Sequence, residues 1–255
     1  LFTAFILSFI LHPFFLLPSE NMKSKSPISN FTEEFAEKKL QVEYVSQNLE
    51  ATYGTPRNTN SNAPLDELIE TILSQSTSDV NSRRAFENLK RSFPDWEAVR
   101  NAGVQNIVSS IKSGGLANTK SVVIKNVLNE IKVKRGRLDL SFLRTAPVDE
   151  ARNFLTSLKG IGPKTAACVL LFSCRRPVFP MDTHILRITR RLGLVPKKCS
   201  DVQAHKIMES LVPNKKHFSL HVNLIRHGRK ICRPTNPKCE KCSLIEHCDF
   251  AQMNL

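Results

Sequence analysis

Lys164 and Asp182 are the two side chains whose types and setting could do chemistry together. Lys164 stands in Leu158-Lys159-Gly160-Ile161-Gly162-Pro163-Lys164-Thr165-Ala166, and Asp182 follows eighteen positions on in Met181-Asp182-Thr183-His184. The first segment reads as a helix, a tight hairpin and a second helix. Gly160 and Gly162 permit the turn and the close backbone approach that a phosphate needs, because a residue without Cβ takes positive φ and leaves its N–H unshielded. Pro163 opens the second helix, its ring fixing φ near the helical value. Lys164 therefore belongs to the first helical turn, where the backbone dipole disfavours a cation. The run Ala166 to Phe172 is apolar on every face, so burial pushes the same way. A neutral lysine amine is a nucleophile, and a carboxylate beside it can offset positive charge developing on the group attacked.

Four of the seven cysteines form a second constellation: Cys232, Cys239, Cys242 and Cys248 are spaced C-x6-C-x2-C-x5-C. Four thiolates in seventeen positions bind a metal centre, and bare chemistry allows zinc or an iron-sulfur cluster. A single C-x2-C is unlike the paired knuckles of structural zinc sites. Cys168, Cys174 and Cys199 have no periodic spacing, so a disulfide framework is not expected, and Cys168 and Cys174 read as inert core residues. Arg233, Lys238 and Lys241 project from the cysteine loops and suit phosphate contacts. His227 and His247 lie near the array without being required as ligands.

These residues resemble the endonuclease III family of helix-hairpin-helix DNA glycosylases, whose motif carries a lysine and an aspartate at these places. The cysteine spacing is the family's iron-sulfur spacing, and His227-Gly228-Arg229 just before it strengthens the likeness. It covers roughly residues 64 to 250. The resemblance implies a [4Fe-4S] cluster on the four cysteines, DNA contacts at Gly160, Gly162 and Arg229, and Gln75 as the wedge that fills the gap left by a flipped nucleotide. Ser76 stands where relatives often carry Asn. It also implies two α-helical lobes, a six-helix barrel over 64–177 and a cluster lobe from 30–63 plus 178–255, with Lys164 and Asp182 on opposite walls of the cleft between them.

Breaking an N-glycosidic bond builds positive charge on C1′ and the ring oxygen, which Asp182 can offset while Lys164 attacks. The lysine then stays attached as a Schiff base, which acidifies C2′ and permits β-elimination of the 3′ phosphate. The expected function is a bifunctional DNA glycosylase and abasic-site lyase of base excision repair, acting as a monomer on double-stranded DNA with an oxidised pyrimidine. Two alternatives stand beside it. Phe179-Pro180-Met181-Asp182-Thr183 and Arg191-Leu192-Gly193-Leu194-Val195-Pro196 also resemble the catalytic core of Demeter-type 5-methylcytosine glycosylases, so a 5-methylcytosine or mismatch glycosylase is the first, and a silent, cluster-bearing DNA-binding protein would keep the hairpin without the chemistry.

The whole chain is compatible with this. Its 255 residues are 41% hydrophobic and 24% charged, ordinary for a globular protein. Thirty-seven Lys and Arg against 23 Asp and Glu give +14, which suits an anionic polymer. From Ala151 to Arg191 there are eight bases and one acid, Asp182, so this segment is expected to contact the DNA backbone. Leu1 to Leu17 is apolar but interrupted by His12 and Pro13, too short for a comfortable membrane span and without the bases of a signal or organelle presequence. Residues 1–29 are expected to be an apolar, then polar and disordered lead, with Met22 the natural start. No membrane association is expected, and the nucleus is the expected compartment, with mitochondrion or plastid as alternatives.

The elements that must position these groups are helical throughout: apolar residues recur at helical spacing and no alternating run argues for a sheet. Phe31, Phe35, Val42, Val45 and Leu49 stripe a first helix. Leu65, Leu68, Ile69, Ile72 and Leu73 stripe the next, with Pro64 and Asp66 as start signals. Asp79 can cap a third helix, and others span Val104 to Ile111 and Ser121 to Ile131. Lys132 to Arg137 reads as a basic loop. Val148, Ala151, Leu155 and Leu158 supply the first helix of the hairpin, and Asp182 is placed to cap a helix carrying Ile185, Ile188 and Leu192. Two more are expected at Val202 to Leu211 and Phe218 to Lys230.

Overall fold

A computed structural model describes residues 27–254, with side chains from residue 33; the readings of residues 1–26 and of the Phe31 side chain lie outside them. Among the described residues there are twelve α-helices, joined by short 3-10 turns, and no strand. The apolar stripes decide how they pack. On α2 (Pro64–Ser74), Leu65, Leu68, Ile69, Ile72 and Leu73 are all at most 3% exposed. Each such side chain contributes about 1.5–3 kcal/mol by leaving water.

Two apolar cores result. The first joins α2, α3 (Asp79–Ser92), α4 (Trp96–Asn101), α5 (Val104–Ile111), α6 (Ala117–Arg135), α7 (Val148–Thr156) and α8 (Pro163–Phe172), and ends at Val178. The second joins α1 (Pro27–Tyr53) to α9 (Thr183–Arg191), α10 (Asp201–Leu211), α11 (His217–Lys230) and α12 (Asp249–Asn254), and starts again at Phe179. Adjacent residues thus belong to different lobes. Glu209 stitches that crossing: it accepts two bonds from Arg152 Nη2 at 2.9 and 3.0 Å and one from the Phe179 N–H at 3.1 Å.

Two sequence expectations are corrected and one helix is added. Lys132 to Arg135 is not a loop but the last turn of α6, where cations suit the helix C-terminus; Gly136, at φ +73°, ends the helix by donating to Lys132 O. Helix α4 carries no legible period because it has six residues and one buried side chain, Val99; Asp95 caps it through the Ala98 N–H at 2.8 Å. Ser78, not Asp79, caps α3, accepting from Asn81 N. Asp79 is instead drawn to Arg229.

Candidate active site

The hairpin between α7 and α8 turns on Gly160, whose φ of +91° would strain any side chain and whose Cβ would sit 3.0 Å from Val123 Cγ1. Gly162 differs from expectation: it is the N-cap of α8 with φ −92°, and a Cβ there would meet nothing. The turn needs only the first glycine, while the second leaves the helix N-terminus bare. Lys164 follows in the first turn of α8, half-buried. Facing it, Asp182 caps α9 by accepting the Ile185 N–H on Oδ1 at 2.7 Å. The cap fixes the carboxylate with one of its two oxygens.

Lys164 and Asp182 line the same cleft, of about 750 Å³, together with Gln75. Gln75 ends α2 in extended conformation, and its Nε2 donates to Thr165 Oγ1 at 3.4 Å. The next residue, Ser76, is left-handed at φ +53°, a conformation that Asn and Gly tolerate best. A buried cation holds this turn from beneath. Lys120 Nζ donates to Leu73 O at 2.7 Å and Gly114 O at 2.8 Å, tying the end of α2 to the turn after α5, and burial lowers its pKa.

Further groups in the cleft escaped the sequence reading. Glu67, 7% exposed, accepts from Asn60 Nδ2 at 2.6 Å; burial pushes its carboxyl up to about 7, against the opposing Asn60 hydrogen bond and Lys164 charge. Glu70 is raised as well, chiefly by burial. Cys168, one turn after Lys164, lines the cleft rather than only the core, and burial pushes its thiol up to about 11. His221 pairs with Pro180 O at 3.0 Å and is pulled down to about 4 by burial, with the Asp182 charge opposing. The only sequence signal for Glu67 is its place one and two turns before Thr71 and Gln75.

Arg229 reaches across from α11 and makes a bidentate pair with Asp79 at 2.8 and 3.1 Å. The pair's hydrogen bonds hold Asp79 below the usual carboxylate range. The basic segment from Ala151 to Arg191 is not an open patch. Arg152 is paired with Glu209, and Arg176, Arg187, Arg190 and Arg191 donate to backbone carbonyls. Guanidinium groups there tie loops together, so five of the eight bases serve the fold. Arg233, Lys238 and Lys241 are exposed beside the cysteines.

All seven cysteines are free thiols. Cys232, Cys239, Cys242 and Cys248 line one small pocket. Burial pushes the Cys242 thiol up to about 11, and the other three sulfurs push it the same way. Such a set holds four thiolates only around a cationic centre. Four cysteine sulfurs around one pocket are a donor set that either a zinc ion or an iron-sulfur cluster takes. Arg191 Nη1 donates to Cys232 Sγ at 3.2 Å, and His227 Nε2 lies 3.5 Å from Cys242 Sγ.

Residues 69–214 match the family model of the HhH-GPD superfamily of base excision DNA repair proteins. Over 178 residues the chain is 42% identical to "Putative DNA glycosylase" of Arabidopsis thaliana, which takes in 70% of this chain and 60% of that protein. It is 33% identical to endonuclease III of Sulfolobus acidocaldarius over 192 residues, 74% of this chain and 82% of that one. Among solved structures, a trapped endonuclease III–DNA covalent intermediate superimposes with a TM-score of 0.71 at 22% identity, covering 84% of this chain and 97% of that chain. That likeness speaks for the fold.

Proposed function

The chain belongs to the HhH-GPD superfamily of base excision DNA repair proteins, and on that footing we propose that it is a bifunctional DNA glycosylase and abasic-site lyase of endonuclease III type. One observation carries the reading: the Lys164 amine and the Asp182 carboxylate line one cleft, with Gln75 beside them. The substrate is double-stranded DNA with a damaged base, an oxidised pyrimidine as the class. The nucleotide swings out of the stack into the cleft and Gln75 enters the gap. Asp182 offsets the charge that builds on C1′ and the ring oxygen as the base departs, and Lys164 attacks C1′. The resulting Schiff base acidifies C2′, and the 3′ phosphate leaves by β-elimination.

Gly160 and the bare N-terminus of α8 after Gly162 receive a backbone phosphate. Arg233, Lys238 and Lys241 add contacts outside the cleft, and Arg229 joins them when it exchanges Asp79 for phosphate. Cys232, Cys239, Cys242 and Cys248 hold a [4Fe-4S] cluster, which when bound ties together the loops that carry these bases. The protein works as a monomer in the nucleus. No helix among the described residues is long and apolar enough to cross a membrane.

A modified cytosine is the second reading, favoured by the Phe179 to Thr183 and Arg191 to Pro196 segments. Borohydride trapping on duplexes carrying either an oxidised pyrimidine or 5-methylcytosine separates the two. A stable adduct on the first, lost in Lys164→Gln, supports the proposal; an adduct confined to 5-methylcytosine supports the second. No adduct on either, and no base released from either, with DNA binding intact, makes the protein a silent binder.

A further inference from the structure

Among the described residues Glu67 is the one acid in the buried set, and it lies in the cleft rather than in a salt bridge. Its carboxyl is fixed from outside by Asn60 Nδ2 at 2.6 Å, with Thr71 Oγ1 one turn on at 3.5 Å. Lys164 acts on it from α8 by charge. Cys168, one turn on from Lys164, lines the same cleft, and the charges of Lys164 and Glu67 both act on it. Glu67 on α2 and Lys164 and Cys168 on α8 thus share the cleft, and α2 packs on α8.

The other ionisable groups around it are accounted for. Glu70 shares its helix and answers to Arg83 of α3. Arg144, from the turn packed on α2, donates to Asn62 O at 3.1 Å, and Lys120 of α6 points to Leu73 O. Asp182 and His221 face the cleft from the second lobe. None of these takes Glu67 as a hydrogen-bond partner.

We propose that Glu67 is the proton acceptor for Lys164, taking the proton that the ammonium must lose before attack and returning it to the hydroxyl that leaves. The inference rests on the lyase reading above. At an abasic aldehyde the step balances: the Lys164 ammonium gives one proton to the Glu67 carboxylate, and the amine adds to C1′ to form an N–C bond. A proton shifts from nitrogen to the new alkoxide, and Glu67 returns its proton to that hydroxyl. The C–O bond breaks, water departs, and a protonated Schiff base remains beside a carboxylate. Glu67 works through Lys164 and is a positioning and proton-holding residue. Its burial places its titration at about 7, between the two states the cycle needs.

The test is the pH profile of single-turnover adduct formation on a pre-formed abasic site, trapped with cyanoborohydride, using the full-length protein. In the wild type the active state carries one proton on the Glu67–Lys164 pair, so the rate should climb with pH and level off just above 7. In Glu67→Gln the amine must lose its proton to solvent. The rate should then fall about 10-fold or more at pH 7.5, and the break near 7 should be lost. Affinity for the same DNA, read by fluorescence anisotropy, should not change. Asn60→Ala keeps Glu67 but removes the donor that favours its charged form, so the break should move to higher pH. A break near 7 that survives Glu67→Gln, or that stays in place in Asn60→Ala, overturns the inference. Failure of the wild type to be trapped at any pH overturns the lyase reading itself, and the inference with it.

Discussion

Replacing Glu67 by Gln is expected to stabilise the protein at pH 8 and to leave it nearly unchanged at pH 4.5. Burial raises the Glu67 carboxyl from 4.5 to about 7. At pH 4.5 the unfolded chain is half ionised at this position, so the folded state loses only about 0.4 kcal/mol by keeping its proton. Between 4.5 and 7 the unfolded state gives up the proton and the folded state does not, and stability falls with rising pH until both are ionised. The displacement amounts to about 3 kcal/mol. Gln carries no charge to bury, and the displacement is already net of the Asn60 hydrogen bond, which favours the carboxylate. The gain at pH 8 is therefore about 3 kcal/mol, or about 6–12 °C in melting temperature for a chain of this size. Thermal unfolding followed by circular dichroism at the two pH values measures the difference, in which the other titrating groups cancel. An equal difference at both pH values would refute the reasoning. A gain in stability coupled to the loss of rate described above is what a functional buried acid should show.

Lys164→Gln should bind damaged duplex with unchanged affinity yet lose the trappable adduct and strand cleavage, since the amide has no amine to attack C1′; undiminished trapping would mean that another amine is the nucleophile. Asp182→Asn should keep the α9 cap and melt within about 1 kcal/mol of the wild type. It should slow base removal by about 10²–10³ and slow cleavage of a pre-formed abasic site much less, because that site needs no charge offset during base departure. Equal losses in both assays would count against this role. Cys239→Ser should turn a brown protein with matched iron and sulfide into one that has lost both, with weaker DNA binding as the loops of Arg233, Lys238 and Lys241 come loose; one zinc in the wild type would contradict it. Lys120→Met removes two charge-assisted bonds of about 1.5–3 kcal/mol each but relieves the burial of an ammonium. The expected net loss is about 2–3 kcal/mol, seen as a lower melting temperature and slower excision from paired lesions, and a melting temperature within 1 °C of wild type, on the order of experimental error, would exclude it.

Elements with a sustained apolar stripe were legible, and those without one were not. Helices α2 and α5 show this best, since every residue of the α2 stripe is buried and α5 spans the expected Val104 to Ile111. The end of α6 was misread because its last turn is charged and Val133 is 85% exposed, so no apolar face remains to signal a helix. What keeps it helical is the C-terminal dipole and the pairing of Lys132 with Glu97 at 2.6 Å. At the start of α3, Ser78 and Asp79 can both cap, and local chemistry does not choose between them. The choice comes from Arg229, 150 positions away. Lys164 and Asp182 could be picked out because each sits at a local signal, a Pro-led helix start and an N-cap. Glu67 could not, for an acid in a first helical turn reads as a solvated residue that suits the dipole. Only the Asn-rich loop and α8, folded over it, make it a buried one.

Charge was the least transparent property, because a count says nothing about what each cation touches. The eight bases between Ala151 and Arg191 looked like a DNA footprint, yet five arginines there bind Glu209 or backbone carbonyls. A guanidinium offers five donors and serves loops rich in unpaired carbonyls as well as it serves phosphate. The cleft, by contrast, carries more acids than bases in a protein of net charge +14: Glu67, Glu70, Asp79, Asp182 and Asp201 line it with Arg83, Lys164 and Arg229. Anionic walls are a poor choice for gripping a phosphate backbone and a good one for a sugar that becomes cationic as its base departs. In the proposed function the two requirements are separated in space, with exposed cations at the cysteine loops to hold the strand and carboxylates inside the cleft. Arg229 stands at the border, paired with Asp79 while no phosphate competes for it.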